Sequence, residues 1–125
     1  MKALSIRQPW AWAILLAGKD VENRSWATKF RGRVLIHAAL HLRTREFEED
    51  CSLIRRISGE SVLSHYYMRF GGIVGSVEIV DCVVTSASPW FFGPWGFVLR
   101  DPRPLPFVPL RGQLGFFDVS DEVLR

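Results

Sequence analysis

Three charged side chains have the clearest capacity for chemistry: Lys19, Glu22 and Arg24 follow one another within six positions of the 125-residue chain. They lie in or just before the segment from Val21 to Trp26, which alternates like a β-strand. A period of two places Glu22, Arg24 and Trp26 on one face of that strand. Two cations and a carboxylate can hold a phosphate or a base carbonyl, and the carboxylate can accept from an amino group. The pattern therefore predicts a ligand clamp beside an aromatic ring.

The same charged side chains allow two other interpretations. One is a structural ion cluster that fixes the corner between a helix and the strand. The other is a metal-independent ribonuclease, in which Lys19 and Glu22 are catalytic and Arg24 and His37 complete the set of base, acid and cation. Glu22 between two cations is expected to have a lowered pKa, which suits a general acid poorly. The sequence favours the clamp and leaves both alternatives open.

Positive charge is concentrated in the first part of the chain. Residues 1–45 hold nine lysines and arginines against two acidic residues, a formal charge of +7, whereas residues 46–125 carry a formal charge of −4. Trp10, Trp12, Trp26 and Phe30 lie among these cations. Cations that bind phosphates and flat rings that stack on bases are what single-stranded nucleic acid requires. The charge pattern therefore predicts a nucleic-acid partner for this part of the chain.

The candidate nucleic-acid-binding residues are polar, cationic or aromatic side chains within the first 37 positions. They are Arg7, Gln8, Trp10, Lys19, Glu22, Arg24, Trp26, Lys29, Arg31, Arg33 and His37. Among them, Lys29, Arg31 and Arg33 are predicted to extend the clamp as a phosphate track.

The three histidines do not have the spacing of a metal site. His37 lies in an apolar strand, where it is expected in the core or in the wall of a cleft. His41 follows beyond the end of that strand, so the two rings are not expected to converge. His65, beside Tyr66 and Tyr67, is expected at the surface. We therefore predict no metal ligands and no cofactor.

The periodicity of apolar residues predicts a mixture of strands and helices that positions these side chains. The predicted elements are a strand over 3–7, a buried helix over 9–17 with Pro9 at its first position and Gly18 at its end, strands over 21–26 and 31–39, an amphipathic helix over 44–58, a shorter helix over 60–69, a long strand over 73–85, a strand over 96–100 followed by an extended or edge segment over 101–106, and a closing strand over 114–119. In the strand over 31–39, Arg33, Leu35 and His37 are predicted to face opposite to Val34, Ile36 and Ala38. Early strands separated by helices, followed by a strand-rich part, predict a curled or barrel-like mixed sheet with helices outside.

An unusual aromatic segment lies in the loop predicted over 86–94 and just beyond it. It contains Trp90, Phe91, Phe92 and Trp95, together with Gly93. These rings can form a hydrophobic plug at one end of a barrel or an aromatic lip over the ligand cleft. A third interpretation is an exposed apolar patch that binds a protein partner.

Length and composition are those of one globular domain. Apolar residues make up 48% of the chain and charged residues 23%, close to the globular average, which argues against disorder and fibrous repeats. Cys51 and Cys82 are too few for a disulfide scaffold and are expected to be reduced. The longest apolar run, over 10–17, is far shorter than the ~20 residues of a membrane span. No cleavage site follows this run, so we expect a cytoplasmic protein without a membrane partner.

Several segments together resemble the ASCH (activating signal cointegrator homology) domain of the PUA-like superfamily. They are Leu4–Ala11 (LSIRQPWA), Gly18–Lys19, Val21–Trp26 (VENRSW) and Arg31–Ala38 (RGRVLIHA). The family pattern is Gly-x-Lys-x-x-Glu-x-Arg, and its three charged positions are matched, whereas Ala17 stands at the expected glycine and Gly18 is adjacent. The resemblance covers essentially the whole chain. It implies one domain over 1–125 with an α+β, PUA-like fold, a small β-barrel of mixed strands with flanking helices.

The resemblance also implies a role with nucleic acid, RNA first and DNA second. Some relatives are reported as nucleases, or as amidohydrolases that act on acetylated cytidine. Those hydrolases use a Lys, a Thr three positions later and a downstream Glu. Here Glu22 occupies the Thr position, and residues 86–94 contain no carboxylate. RNA binding is therefore the favoured function, and a metal-independent ribonuclease or amidohydrolase is the alternative.

Overall fold

Six strands and two α-helices make up most of the described part of the chain, which covers residues 1–39, 44–62 and 68–124 in this computed structural model. The elements in chain order are β1 (Lys2–Arg7), α1 (Trp10–Leu16), β2 (Val21–Arg24), β3 (Gly32–Ala39), α2 (Thr44–Ser58), β4 (Gly72–Val83), β5 (Trp95–Pro109), β6 (Phe116–Asp118) and a closing 3₁₀ turn (Asp121–Leu124). Helix α2 has the predicted bounds, and the observed strands other than β5 begin and end within a few residues of the predicted ones.

The strands form one mixed sheet with the order β2-β5-β4-β3-β1-β6. Strands β1 and β3 are parallel, and the other neighbours are antiparallel. The end strands β2 and β6 are far apart in this order, yet the ring of Trp26, just after β2, lies 5.8 Å from the ring of Phe116 in β6. The sheet therefore curls until its two edges approach each other. This confirms the predicted α+β architecture of a curled mixed sheet with flanking helices.

Two apolar clusters lie on opposite faces of the sheet. The larger one packs α1 against one face of the sheet, and it contains Leu4, Ile6, Ala11, Ile14, Val34, Ile36, Ala38, Val77, Ile79, Phe97 and Leu99. The smaller one contains Ala3, Leu35, Ile73, Phe117 and Val119. Strand β3 contributes to both clusters, with Val34 and Ile36 in the first and Leu35 in the second, as its predicted alternation requires.

The turn after α1 brings the next residues back against the helix. Pro9 is the N-cap of α1 and lies one position before its first helical residue, rather than at that residue as predicted. Gly18 has a φ of +77°, a left-handed conformation that glycine adopts without strain. The Lys19 amide then donates to the carbonyl oxygen of Ala13 at 3.1 Å. This hydrogen bond holds the backbone of Lys19 against the last turn of α1, two residues before β2 begins.

Strand β5 is longer than predicted and contains the proline-rich segment. It runs without interruption through Pro102, Pro104 and Pro106. Strand β2 pairs only with residues 95–98 of β5, so the remainder of β5 has a neighbour on one side alone. An edge strand tolerates proline because its outward side needs no amide donor.

The segment between α2 and β4 differs from the prediction. The predicted helix from Glu60 to Arg69 falls partly on residues 63–67, outside the described residues, and the described residues 60–62, 68 and 69 are not helical.

Both cysteines are free thiols, Cys51 on α2 and Cys82 on β4. Burial, with the neighbouring carboxylates of Asp50 and Glu48, raises the pKa of Cys51 to about 11.

Candidate functional site

The two edges of the curled sheet leave a cleft of about 550 Å³ between them, which we call the seam cleft. Its walls come from β1, the start of α1, the turn before β2, β2 with the residues after it, and the loop before β6. The lining residues are Ser5, Arg7, Trp10, Lys19, Glu22, Asn23, Arg24, Ser25, Trp26, Ala39, Phe92, Leu114 and Gly115. This volume is typical of sites for small ligands.

The Glu22 carboxylate is the centre of an ion cluster in the seam cleft. Lys19 Nζ donates to Glu22 Oε1 at 2.6 Å, and Arg24 donates to Oε2 through Nε at 3.2 Å and Nη2 at 3.0 Å. Lys19 also donates to the carbonyl oxygen of Val21, and Arg24 Nη2 donates to that of Ser5. Lys19 is only 3% exposed and Glu22 only 7%. The cluster therefore joins the corner between α1 and β2 to strand β1.

The ion cluster holds Glu22 in its charged form. Burial by itself raises the pKa of this carboxyl, but the charges and hydrogen bonds of Lys19 and Arg24 lower it, and the net result is a pKa below the ordinary value. An ionised carboxylate with two cationic partners accepts hydrogen bonds and does not donate a proton near neutral pH. With two cations and one carboxylate, the cluster retains one positive charge, and the exposed Arg7 adds another to the lining.

Aromatic rings form the apolar walls of the seam cleft. Lys19 Nζ lies 5.5 Å from the centroid of the Trp10 ring, and the guanidinium carbon of Arg24 lies 5.8 Å from that of Trp26. Such cation–π contacts hold both the cation and the ring. Trp26 is 38% exposed and lines the cleft, and its ring meets Phe97 edge-on at 5.3 Å. Three side chains were predicted to share one face of the strand over 21–26, and all three line the cleft: Glu22 and Arg24 in β2, and Trp26 just after it.

Asn23 holds the aromatic segment at the mouth of the cleft. Its Nδ2 donates to the carbonyl oxygen of Trp90 at 2.9 Å, and its Oδ1 accepts from the amides of Phe92 at 2.7 Å and Gly93 at 3.0 Å. Sequence reasoning missed this residue. The sequence shows only that Asn23 is a polar residue between Glu22 and Arg24. Its hydrogen-bond partners lie 67 to 70 positions away in the chain, so the local pattern does not reveal them.

The aromatic segment divides between a plug and a lip. Trp90 is buried against Ala13, Ala17, Val21 and Ile54. It is therefore not available to a protein partner, which corrects that part of the predicted patch. Phe91 and Trp95 are half-buried, and Phe92 is exposed on the lining of the seam cleft.

A second cleft, of about 600 Å³, adjoins the first and shares Ser5, Ala39 and Leu114 with it. His37 lies here and not in the seam cleft, and it is buried. The His37 Nε2 atom lies 2.6 Å from the carbonyl oxygen of Leu110, which can only accept, so Nε2 carries the proton and donates. Nδ1 lies 3.3 Å from the Ser5 hydroxyl oxygen. These two contacts hold the His37 ring in the cleft wall.

Gln8 does not reach either cleft. It is buried, its Nε2 donates to the carbonyl oxygen of Arg69 at 3.0 Å, and its Oε1 accepts from the Trp12 amide at 2.8 Å. These bonds fasten the start of α1. Because Gln8 is buried and lines neither cleft, its amide does not face a ligand in either of them.

The three cations of the predicted phosphate track do not line the seam cleft. Arg31 donates to the carbonyl oxygens of Thr28 and Phe30. Arg33 donates to Ser76 Oγ at 2.9 Å and forms an ion pair with Asp101 at 2.7 Å. Lys29 is exposed. The track stays a prediction, and the cations that the fold brings together in the seam cleft are Arg7, Lys19 and Arg24.

The remaining predicted features concern metals and membranes. His41, His65, Tyr66 and Tyr67 lie outside the described residues. Within residues 1–39, 44–62 and 68–124, no three His, Cys, Asp or Glu side chains are grouped closely enough to hold a metal ion. In the same ranges, no helix has the length and apolar character needed to cross a membrane.

Comparison with known proteins identifies the family. The sequence profile of the ASCH domain matches residues 4–97 of this chain. Human Activating signal cointegrator 1 is 36% identical over 130 residues, which cover 96% of this chain and 22% of that protein. Mouse Activating signal cointegrator 1 is 35% identical over 81 residues, which cover 64% of this chain and 14% of that protein. The chain spans less than a quarter of the length of these relatives. It belongs to the ASCH domain family, which is generally linked to RNA binding, and the curled six-stranded sheet with its two helices is the α+β PUA-like fold of that family.

Proposed function

We propose that this domain binds RNA and that the seam cleft receives one base or nucleotide of the bound strand. The observation that carries the proposal is the enclosure of a net positive ion cluster by the rings of Trp10, Trp26 and Phe92 in a cleft of nucleotide size. Stacking on aromatic rings supplies affinity for any base, and the cations supply affinity for phosphate. The ASCH family's general link to RNA binding supports the choice of RNA over DNA.

Each group in the cleft has a separate role in this proposal. Arg24 uses Nε and Nη2 on Glu22 and Ser5, while its Nη1 has no hydrogen-bond partner among the described residues and can donate to a phosphate or a base carbonyl. Glu22 Oε1 accepts only from Lys19 among the described residues, so it can also accept from a base amino group. Trp26 stacks on the base, and the exposed Arg7 contacts the adjoining phosphate.

Binding has better support than catalysis. Lys19 and Glu22, the pair that an enzyme would use, neutralise each other at 2.6 Å. A charged, paired lysine is a poor nucleophile, and a carboxylate with a lowered pKa is a weak base and a poor acid. Incubation with labelled RNA and with acetylcytidine should therefore leave both intact. Turnover that disappears in Lys19→Ala would overturn this conclusion and support the ribonuclease or amidohydrolase.

Replacing Trp26 by alanine is expected to weaken binding of a short single-stranded RNA by about 5- to 150-fold, because stacking of one base on an aromatic ring contributes roughly 1 to 3 kcal/mol. Filter binding of an unstructured oligonucleotide measures this effect. An abasic oligomer of the same length is the control, since it keeps the phosphates and removes the ring contact. Equal weakening for both oligomers, or none for either, contradicts the stacking role.

Replacing Arg7 by glutamine is expected to reduce the slope of log affinity against log salt by about 0.7, the value for one phosphate contact of a single strand. Arg56→Gln is the matched control, because Arg56 is also exposed but lies near the end of α2, outside the residues that line either cleft. Lys29→Gln in the same series tests the predicted track. A slope that is unchanged in Arg7→Gln removes Arg7 from the binding surface, and a flat salt response of the wild type rejects the phosphate contacts altogether.

A further inference from the structure

The loop between β5 and β6 presents a fully exposed apolar side chain at the boundary of the two clefts. Leu114 is 99% exposed and lines both the seam cleft and the second cleft. Isolated exposed leucines are common on protein surfaces and need no explanation by themselves. Leu114 is unusual because it lines two adjoining clefts at once.

The ends of this loop are anchored to the sheet. At one end, the Leu110 carbonyl oxygen accepts from His37 Nε2 at 2.6 Å. At the other, the carbonyl oxygen of Gly115 accepts from the Ser5 amide at 3.2 Å, and the φ of +66° at Gly115 makes the turn into β6. Hydrogen bonds at both ends of the loop therefore fix where Leu114 projects from the surface.

The side chains beside Leu114 suit a nucleic-acid strand. Arg111 and Gln113 are exposed and have no hydrogen bond or ion pair within the described residues. A guanidinium can bind a phosphate, and a glutamine amide can donate to and accept from the edge of a base. The loop thus presents a cation, an amide and an apolar side chain next to a cleft that can hold one nucleotide.

We propose that Leu114 is a wedge that fills the gap left in base-paired RNA when one nucleotide is turned out of the helix and into the seam cleft. Turning a base out of a helix unstacks its neighbours, and proteins that do so often insert an apolar side chain between the remaining bases. Gln113, next to Leu114 in the chain, can then form a hydrogen bond with the base that has lost its partner. This inference rests on the proposed RNA binding, and it adds that the bound RNA is double-stranded around the nucleotide that enters the cleft.

The test uses two RNA probes that contain the fluorescent base 2-aminopurine, which brightens when it is unstacked. One is a short hairpin with 2-aminopurine in its stem, and the other is the same labelled strand in an unpaired form. The wild-type protein is expected to brighten the hairpin. Leu114→Ala is expected to lose most of that increase and to bind the hairpin about tenfold more weakly, with unchanged affinity for the unpaired strand, because only the paired RNA has a gap to fill.

Leu16→Ala is the matched control, since Leu16 is an exposed leucine on α1 that lines neither cleft. It should behave as the wild type with both probes. Three results overturn the wedge and leave RNA binding intact. The wild type binds the hairpin without brightening it, Leu114→Ala brightens it as much as the wild type does, or Leu114→Ala weakens binding of both probes equally. Failure of the wild type to bind either probe overturns the proposed function together with the wedge.

Discussion

Replacing Glu22 by glutamine is expected to lower the free energy of unfolding by about 3 to 5 kcal/mol, the usual loss when one partner of a buried ion pair is removed. The reason is that Lys19, only 3% exposed, then carries a charge without a counter-charge. Arg24 also loses a charged acceptor, although the glutamine oxygen still accepts a hydrogen bond. Urea unfolding of both proteins at pH 7 measures the difference.

The effect of Glu22→Gln should depend on pH in a defined direction. The folded protein lowers the pKa of Glu22 below its ordinary value of 4.5. The charged carboxylate therefore contributes its full stability above pH 4.5, and the contribution is lost as the pH falls through the lowered pKa. The difference in the free energy of unfolding between the wild type and Glu22→Gln should therefore become smaller below pH 4.5. A difference that stays constant down to unfolding contradicts the ion-cluster account.

Two controls separate burial from charge in this experiment. Asp118→Asn breaks an ion pair with Lys2 in which both side chains are exposed, so it should change stability by less than about 1 kcal/mol. Lys19→Met combined with Glu22→Gln should be less harmful than the sum of the single changes, because no buried lysine charge then lacks its partner. Strict additivity would show that Lys19 and Glu22 are not coupled.

Replacing Phe97 by alanine is expected to lower the free energy of unfolding by about 3 to 5 kcal/mol, as is typical of a large aromatic residue removed from a core. Phe97 is 0% exposed, and its ring contacts Trp26, which lines the seam cleft. Its ring is 5.3 Å from Trp26 and 6.1 Å from Phe116, so it supports both edges of the curled sheet. Loss of the ring leaves a cavity where those edges approach each other. Thermal or urea unfolding measures the loss.

Phe92→Ala is the matched control for Phe97→Ala, because it removes the same ring from an exposed position. It should change stability little, while Phe97→Leu should give an intermediate loss because leucine fills part of the cavity. A cost for Phe92→Ala similar to that for Phe97→Ala would contradict the assignment of Phe97 to the core and of Phe92 to the cleft lip.

Local patterns were enough to predict most elements of this protein, although the described residues of the predicted helix over 60–69 are not helical and β5 is longer than predicted. The apolar period of 3.6 residues over 44–58 predicted α2 with its observed bounds. The alternation of Val34, Leu35 and Ile36 predicted which side chains of β3 enter each apolar cluster. The charged motif was visible for the same reason, since Lys19, Glu22 and Arg24 are close in the chain. These features depend on neighbours a few residues apart.

The assembly of the candidate site was less predictable, because its partners are distant in the chain. Trp26 meets Phe116 only because the sheet curls until β2 approaches β6. Arg33 was predicted in a phosphate track, yet it pairs with Asp101, 68 positions away. Gln8 was predicted in the cleft, and its amide instead binds the carbonyl oxygen of Arg69.

The sequence by itself thus determined the family, the α+β class and the residue types of the charged motif, because short-range periodicity and spacing carry that information. The curl of the sheet decided which of those residues face a common cleft, that Leu114 stands at its rim, and that Trp90 is buried while Phe92 is not. Sheet curl follows from the twist, register and bulges of all six strands together, so no single stretch of sequence specifies it.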